Sequence, residues 1–187
     1  MVKIGQEVPD FKMAAYHDDE IKDIKLSDFK GKWVVVVFYP ADFTFVCPTE
    51  LEDVAKLYTE FQAAGAEVIS VSTDTAFVHK AWHDNSEAIG QVKYYMGADP
   101  SCEVCRLFGV LIEEEGLALR GSFIIDPDGV LKTSETHDLG IGRSATEALR
   151  KLHAAKFVHE NGDQVCPANW TPGGDTLKPG LDLVGKI

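Results

Sequence analysis

Cys47 sits at the end of the segment Phe38-Tyr39-Pro40-Ala41-Asp42-Phe43-Thr44-Phe45-Val46-Cys47, with Pro48-Thr49-Glu50 following. A continuous apolar run over residues 33–39 precedes it, too short for an ordinary helix, and a helical pattern follows. A thiol in the first turn of a helix faces the positive end of the helix dipole and several unpaired backbone N–H groups. Both favour the thiolate, which is the reactive form. Pro48 suits a first helical position, where a missing N–H costs nothing. Thr44 offers a hydroxyl that donates to a thiolate and accepts from a substrate O–H. Pro40 ends the strand without an N–H and shields a pocket from water. This set suits attack on a hydroperoxide: the thiolate takes one oxygen, and the leaving alkoxide or hydroxide needs donors aimed at its developing charge. Helix-start N–H groups and an arginine would supply them. Taken singly, each residue also has a plainer reading. Cys47 reads as a small packed hydrophobe, Arg120 beside Gly121 as a solvated charge, and Cys166 as a bystander thiol.

The elements that must hold these residues alternate. A helix is expected over residues 48–64, with Leu51, Val54, Ala55, Tyr58 and Phe61 at spacings of three and four and Gly65 just past its end. Residues 66–72 read as a strand, and residues 75–85 as a helix with Thr73 or Asp74 as cap. Residues 92–98 read as a weaker strand, and residues 101–108 as a short helix ending near Gly109. Residues 122–126 and 130–134 flank Pro127-Asp128-Gly129, a hairpin signal. Ser144-Ala145-Thr146-Glu147 is a capping box opening a helix to about His159. The order predicts an α/β fold with a central mixed sheet flanked by helices on both faces, which a thioredoxin-like architecture fits. One domain is expected over residues 1–162. Residues 163–187 read as a turn-rich tail carrying Cys166, either mobile or lying across a partner subunit, with Leu177, Leu181, Leu183, Val184 and Ile187 as docking surface.

A chain of 187 residues, 45% hydrophobic, is long enough for one sizeable core. A formal charge of −12 argues against nucleic acid and anionic membranes as partners. No apolar run approaches the roughly 20 residues needed to span a bilayer. The first ten residues lack the apolar segment of a secretory signal, so a cytoplasmic location is expected. Four cysteines are too sparse for a disulfide scaffold; in a reducing compartment they point to catalysis, metal binding or packing. No Gly-rich dinucleotide fingerprint is present, and no cofactor or metal is expected.

Pro40, Thr44 and Cys47 together match the Pro-x-x-x-Thr-x-x-Cys motif of peroxiredoxins, and residues 38–50 resemble the typical two-cysteine subfamily. The resemblance continues through residues 71–74, 79–82, 119–126 and 165–170, and so covers nearly the whole chain. Residues 181–187 are similar to the branch formed by the peroxidase component of bacterial alkyl hydroperoxide reductases. The resemblance implies a thioredoxin-like fold and a thiol-dependent peroxidase with Cys47 as the peroxidatic cysteine. Thr44 and Arg120 would position the peroxide, Pro40 would shape the pocket, Glu50 would hold the arginine and Cys166 would be the resolving cysteine. It further implies an intersubunit disulfide in a head-to-tail homodimer, with dimers assembling into decamers. The implied electron donor is a flavoprotein disulfide reductase using NADH, the reductase component of the same system, or thioredoxin.

Other features stand outside that pattern. Cys102-Glu103-Val104-Cys105 is a C-x-x-C, read first as packed cysteines and second as an accessory redox pair, with a helix start that would lower the pKa of Cys102. A disulfide oxidoreductase acting through this pair is one rival function, and a non-enzymatic holdase is another. His79 and His83 are spaced for one helix face but lack the Glu of H-E-x-x-H, so a non-metal role is expected. Trp82 and Trp170 read as packing residues, and Glu113-Glu114-Glu115 as a solvated turn. Easily over-oxidised relatives carry Gly-Gly-Leu-Gly and a C-terminal Tyr-Phe. Here the loop reads Glu115-Gly116-Leu117-Ala118 and the Tyr-Phe is missing, so relative resistance to sulfinic acid formation is expected.

Overall fold

The structure, a computed structural model, describes residues 1–186. Ile187, counted above in the tail's docking surface, lies outside the described residues. The chain divides into two compact units, Met1–Ala145 and Thr146–Ile187.

The first unit is built on nine strands: β1 (Lys12–His17), β2 (Glu20–Lys25), β3 (Trp33–Phe38), β4 (Ala66–Ser72), β5 (Tyr95–Ala98), β6 (Leu111–Ile112), β7 (Leu117–Ala118), β8 (Arg120–Ile125) and β9 (Leu131–His137). Seven of them form one mixed sheet in the order β2-β1-β5-β4-β3-β8-β9. The pairs β3–β4 and β4–β5 are parallel, and the rest are antiparallel. Every residue of β3 is buried, which is why its sequence is an unbroken apolar run rather than an alternating one. Val34, Val36 and Phe38 enter a core with Phe11, Phe108 and Phe123, while Val35 and Val37 are buried on the opposite face. The expected hairpin forms as β8–β9. The Asp126 carboxylate accepts from the N–H groups of Asp128 and Val130 at 3.0 and 2.8 Å, the Asx-type turn chemistry its sequence predicts.

The helices of this unit are α1 (Cys47–Lys56), α2 (Tyr58–Ala63), α3 (Ala76–Asn85) and α4 (Glu103–Phe108). The single helix expected over residues 48–64 is therefore two. At Leu57 the hydrogen-bond pattern tightens: its N–H donates to Val54 O at 3.1 Å, and its carbonyl starts the next helix by accepting from Phe61 N. Gly65 follows α2 with φ +80, the left-handed conformation expected of it. The cap of α3 is Thr75 rather than Thr73 or Asp74; its hydroxyl accepts from Val78 N. The antiparallel pair β1–β2, joined through Asp18 and Asp19 at φ 51 and 61, was not expected from sequence.

In the second unit, helix α5 (Ala145–Glu160, from Thr146 onward) is followed by turns. The tail is more than loose turns. Val165 and Leu177 exchange both backbone hydrogen bonds, and the Trp170 ring packs on Phe157 of α5 at 5.0 Å between centroids. Arg150 donates to the Trp170 carbonyl at 2.9 Å.

Candidate active site

Strand β3 delivers the chain into the site. Tyr39 extends its ladder by donating to Val71 O at 2.9 Å, and Pro40, buried, ends it because it has no N–H to offer β4. Cys47 is the first residue of α1 and is fully buried, with 0% exposure. Val46 before it is already helical and no side chain caps this end, so the positive end of the helix is left for the site. Glu50 lies one turn on from Cys47, which places both on the same side of α1.

Arg120, the first residue of β8, joins them. Its Nη1 lies 3.5 Å from Cys47 Sγ and donates to Glu50 Oε2 at 2.7 Å, while its Nε donates to Leu139 O at 2.7 Å. Arg120 is 4% exposed, so its plainer reading as a solvated charge is overturned. A second arginine completes the group. Arg143 holds Glu50 in a two-pronged pair, Nε to Oε1 and Nη2 to Oε2, each 2.9 Å. Its backbone N–H also donates to Oε1 at 2.7 Å, and its Nη1 reaches Gly121 O at 2.6 Å. Burial works to raise the Glu50 carboxyl, but the hydrogen bonds and charge of Arg143, with Arg120 behind them, outweigh it and hold the group below its ordinary value. Two guanidinium groups share one carboxylate, and of the two it is Arg120 whose Nη1 faces the sulfur.

Thr44 is half-buried, and its hydroxyl donates to Ala41 O at 2.8 Å. Its proton thus points back into the loop, which leaves its lone pairs as acceptors; the donor role expected toward the sulfur falls to Arg120 instead.

The family model described as the AhpC/TSA family matches residues 4–134. The chain belongs to this family. The model described as the C-terminal domain of 1-Cys peroxiredoxin matches residues 154–184, a stretch that here contains Cys166. Alkyl hydroperoxide reductase C of Amphibacillus xylanus is 56% identical over the full length of both chains, and that of Bacillus subtilis 54%. The crystal structure of Enterococcus faecalis AhpC, 51% identical, superposes with a TM-score of 0.86 over 89% of this chain and all of that one. Reduced 2-Cys peroxiredoxin of Plasmodium vivax, 34% identical, gives 0.91 over 96% and 94%. The fold is the thioredoxin-like one of the peroxiredoxins.

The structure brings Cys47, Glu50 and Arg120 of this peroxiredoxin into one contact group, with Pro40 and Thr44 on the loop leading to it. Cys166 belongs to the second unit, half-buried, with its Sγ 3.8 Å from Ala154 O; burial pushes this thiol up, and Arg150 opposes that only in part. Of the C-x-x-C, Cys105 sits in the hydrophobic core and Cys102 is half-buried. Cys105 is fully buried, and burial followed by the charge of Asp99 raises it strongly. Cys102 precedes α4 in the left-handed conformation, φ 61, and burial with Asp99 raises it too, contrary to the lowering expected from a helix start. Both histidines have partners: His79 with Asp42 and Gly97 O, and His83 with Tyr16 and Val92 O. Sequence reasoning missed Arg143 and Asp42. The only signal for Arg143 was its place beside the capping box at Ser144.

Proposed function

We propose that the protein is a thiol-dependent peroxidase that reduces hydrogen peroxide and small organic hydroperoxides through Cys47. The observation that carries this reading is the buried Arg120 guanidinium aimed at the Cys47 sulfur and fixed there by Glu50. The thiolate attacks one peroxide oxygen, forming an S–O bond as the O–O bond breaks. The leaving oxygen departs as alkoxide or hydroxide and takes up a proton. Arg120 offers hydrogen bonds to the developing charge, and the Thr44 oxygen accepts from the peroxide O–H. Pro40 keeps water from the approach. The resulting Cys47 sulfenic acid condenses with the Cys166 thiol of a second copy, releasing water and giving a disulfide. A thiol raised by burial, as Cys166 is, stays protonated and escapes direct oxidation while it waits. Two electrons then return both thiols, from a flavoprotein disulfide reductase fed by NADH or from thioredoxin. We assign the protein to the cytoplasm as a head-to-tail homodimer, with five dimers forming a decamer. Phe43, Phe45 and Phe77 are exposed, Phe45 at 91%, and their burial against a second copy would favour assembly.

Rapid mixing of the reduced protein with hydrogen peroxide, followed by tryptophan fluorescence, tests the reading. A second-order rate orders of magnitude above that of free cysteine, with the first adduct trapped on Cys47 by dimedone, is the expected result. A rate like free cysteine would overturn it. Arg120→Met is expected to slow this phase by about 10²–10³, the usual loss for one donor to a developing oxyanion. At modest peroxide excess, mass spectrometry is expected to find little Cys47 sulfinic acid.

A further inference from the structure

Asp42 lies five residues before Cys47 in the loop from β3 to α1, and its side chain is buried. Peroxide chemistry gives it nothing to do, yet both its carboxylate oxygens and its backbone N–H are engaged. Its Oδ2 meets His79 Nδ1 at 2.8 Å, its Oδ1 accepts from the Tyr39 hydroxyl at 2.7 Å, and its backbone N–H donates to Asp74 Oδ2 at 2.9 Å. That Asp74 oxygen also accepts from Ser72 Oγ at 2.7 Å. His79 is fully buried, and its Nε2 faces Gly97 O at 3.0 Å. A carbonyl only accepts, so Nε2 donates to Gly97 O, while Nδ1 lies in hydrogen-bond contact with the Asp42 carboxylate. Burial and the nearby Asp42 charge push the Tyr39 phenol up, which keeps it a donor.

The anchors of this network lie on rigid elements: Ser72 on β4, His79 on α3 and Gly97 on β5. The anchored residue lies on the loop. Immediately after it, Phe43 is held at φ 55, a conformation that persists in a non-glycine residue only where its surroundings impose it. The Phe43 ring lies 5.9 Å from that of Trp82, so the loop has a fluorescent reporter beside it. None of the network's hydrogen bonds reaches Cys47, Glu50 or Arg120, which are fixed through β8 and Arg143.

Cys47 is fully buried, and a disulfide requires another sulfur at about 2.0 Å. The loop and the first turn of α1 must therefore open before a second thiol arrives. We propose that the Asp42–His79 pair, braced by Tyr39 and Asp74, is a bolt on this loop that sets how often Cys47 opens, and hence how disulfide formation competes with over-oxidation of the sulfenic acid. Asp42 and His79 are positioning residues in this reading, which rests on the peroxidase function proposed above. Breaking the bolt removes its hydrogen bonds from the closed form and frees Phe43 from its imposed conformation; both changes favour opening.

Rapid mixing with hydrogen peroxide separates the two steps: oxidation of Cys47 depends on peroxide concentration, and disulfide formation does not. His79→Gln is expected to speed the peroxide-independent phase about tenfold, the equivalent of one lost buried hydrogen bond, while the peroxide-dependent phase changes by less than about threefold. Tyr39→Phe, which deletes one hydroxyl and keeps the shape, is expected to speed it about threefold. Sulfinic acid formed at fixed peroxide excess should fall by the same factors. An unchanged peroxide-independent phase in the variants, or equal slowing of both phases, would overturn the bolt. If His79→Gln fails to fold, Tyr39→Phe decides alone. A wild-type protein lacking a peroxide-dependent phase at Cys47 would instead overturn the peroxidase reading, and the bolt with it.

Discussion

Cys47→Ser is expected to lower peroxide consumption by about four orders of magnitude or more, to the background of the other thiols. Serine fits the buried site and leaves Arg120, Glu50 and Arg143 their mutual contacts, so the fold should survive and the loss should be chemical. A hydroxyl in place of the thiol supplies no comparable anion at neutral pH. The remaining cysteines are poorer candidates, since burial raises all three, Cys105 most strongly, and so disfavours the thiolate at each. Cys166→Ser should separate the two halves of the cycle. One equivalent of peroxide per chain is consumed at the wild-type rate, sulfenic acid accumulates on Cys47, and turnover stops. Cys102→Ser should change neither step. Insulin reduction that survives Cys47→Ser and disappears with Cys102→Ser would instead favour the rival oxidoreductase. Peroxide assays with dimedone trapping on the three variants distinguish these outcomes.

What could be read from sequence follows the range of the interactions. The strand, loop and helix around Cys47 are encoded within residues 33–50, by an apolar run, a proline that stops the ladder and a proline that starts the helix. Arg120 became meaningful only through the family resemblance, because nothing within its own strand marks it as buried. Arg143 lies 93 residues from Glu50, and Asp42 lies 37 from His79, so their pairing is a product of the folded sheet and leaves no local pattern. The β1–β2 hairpin was missed for a different reason. At the sheet edge β2 is largely exposed, so its apolar alternation is weak, and its turn uses Asp18-Asp19 instead of the Asn-Gly or Asp-Gly that announces such turns. The break at Leu57 has neither glycine nor proline to signal it.

Glu50→Gln is expected to cost about 3–5 kcal/mol of stability, the usual range when one partner of a buried ion pair is removed. The side chain keeps its shape, so the cost is electrostatic. Glu50 is 4% exposed and lies between two guanidinium groups whose side chains are 4% and 6% exposed, and without its charge both buried cations lose their carboxylate partner. An amide N–H₂ would also point a donor at a donor. For a chain of this size the loss corresponds to a melting temperature lower by roughly 6–20 °C. Activity should fall with it, since Arg120 Nη1 is held toward Cys47 Sγ by the bond to Glu50. The pH dependence tells this apart from simple loss of packing. The Glu50 carboxyl is held below its ordinary value in the folded protein, so its contribution is fully present above that value, near 4.5, and is lost as pH falls through the folded one. Stability curves of the wild type and Glu50→Gln, measured by thermal melts from neutral pH downward, should therefore be farthest apart at neutral pH and draw together as the pH falls below 4.5 and the carboxyl takes up its proton. A gap of constant size across that range would mean that the variant lost packing and that the charge of Glu50 had no part in holding the two arginines.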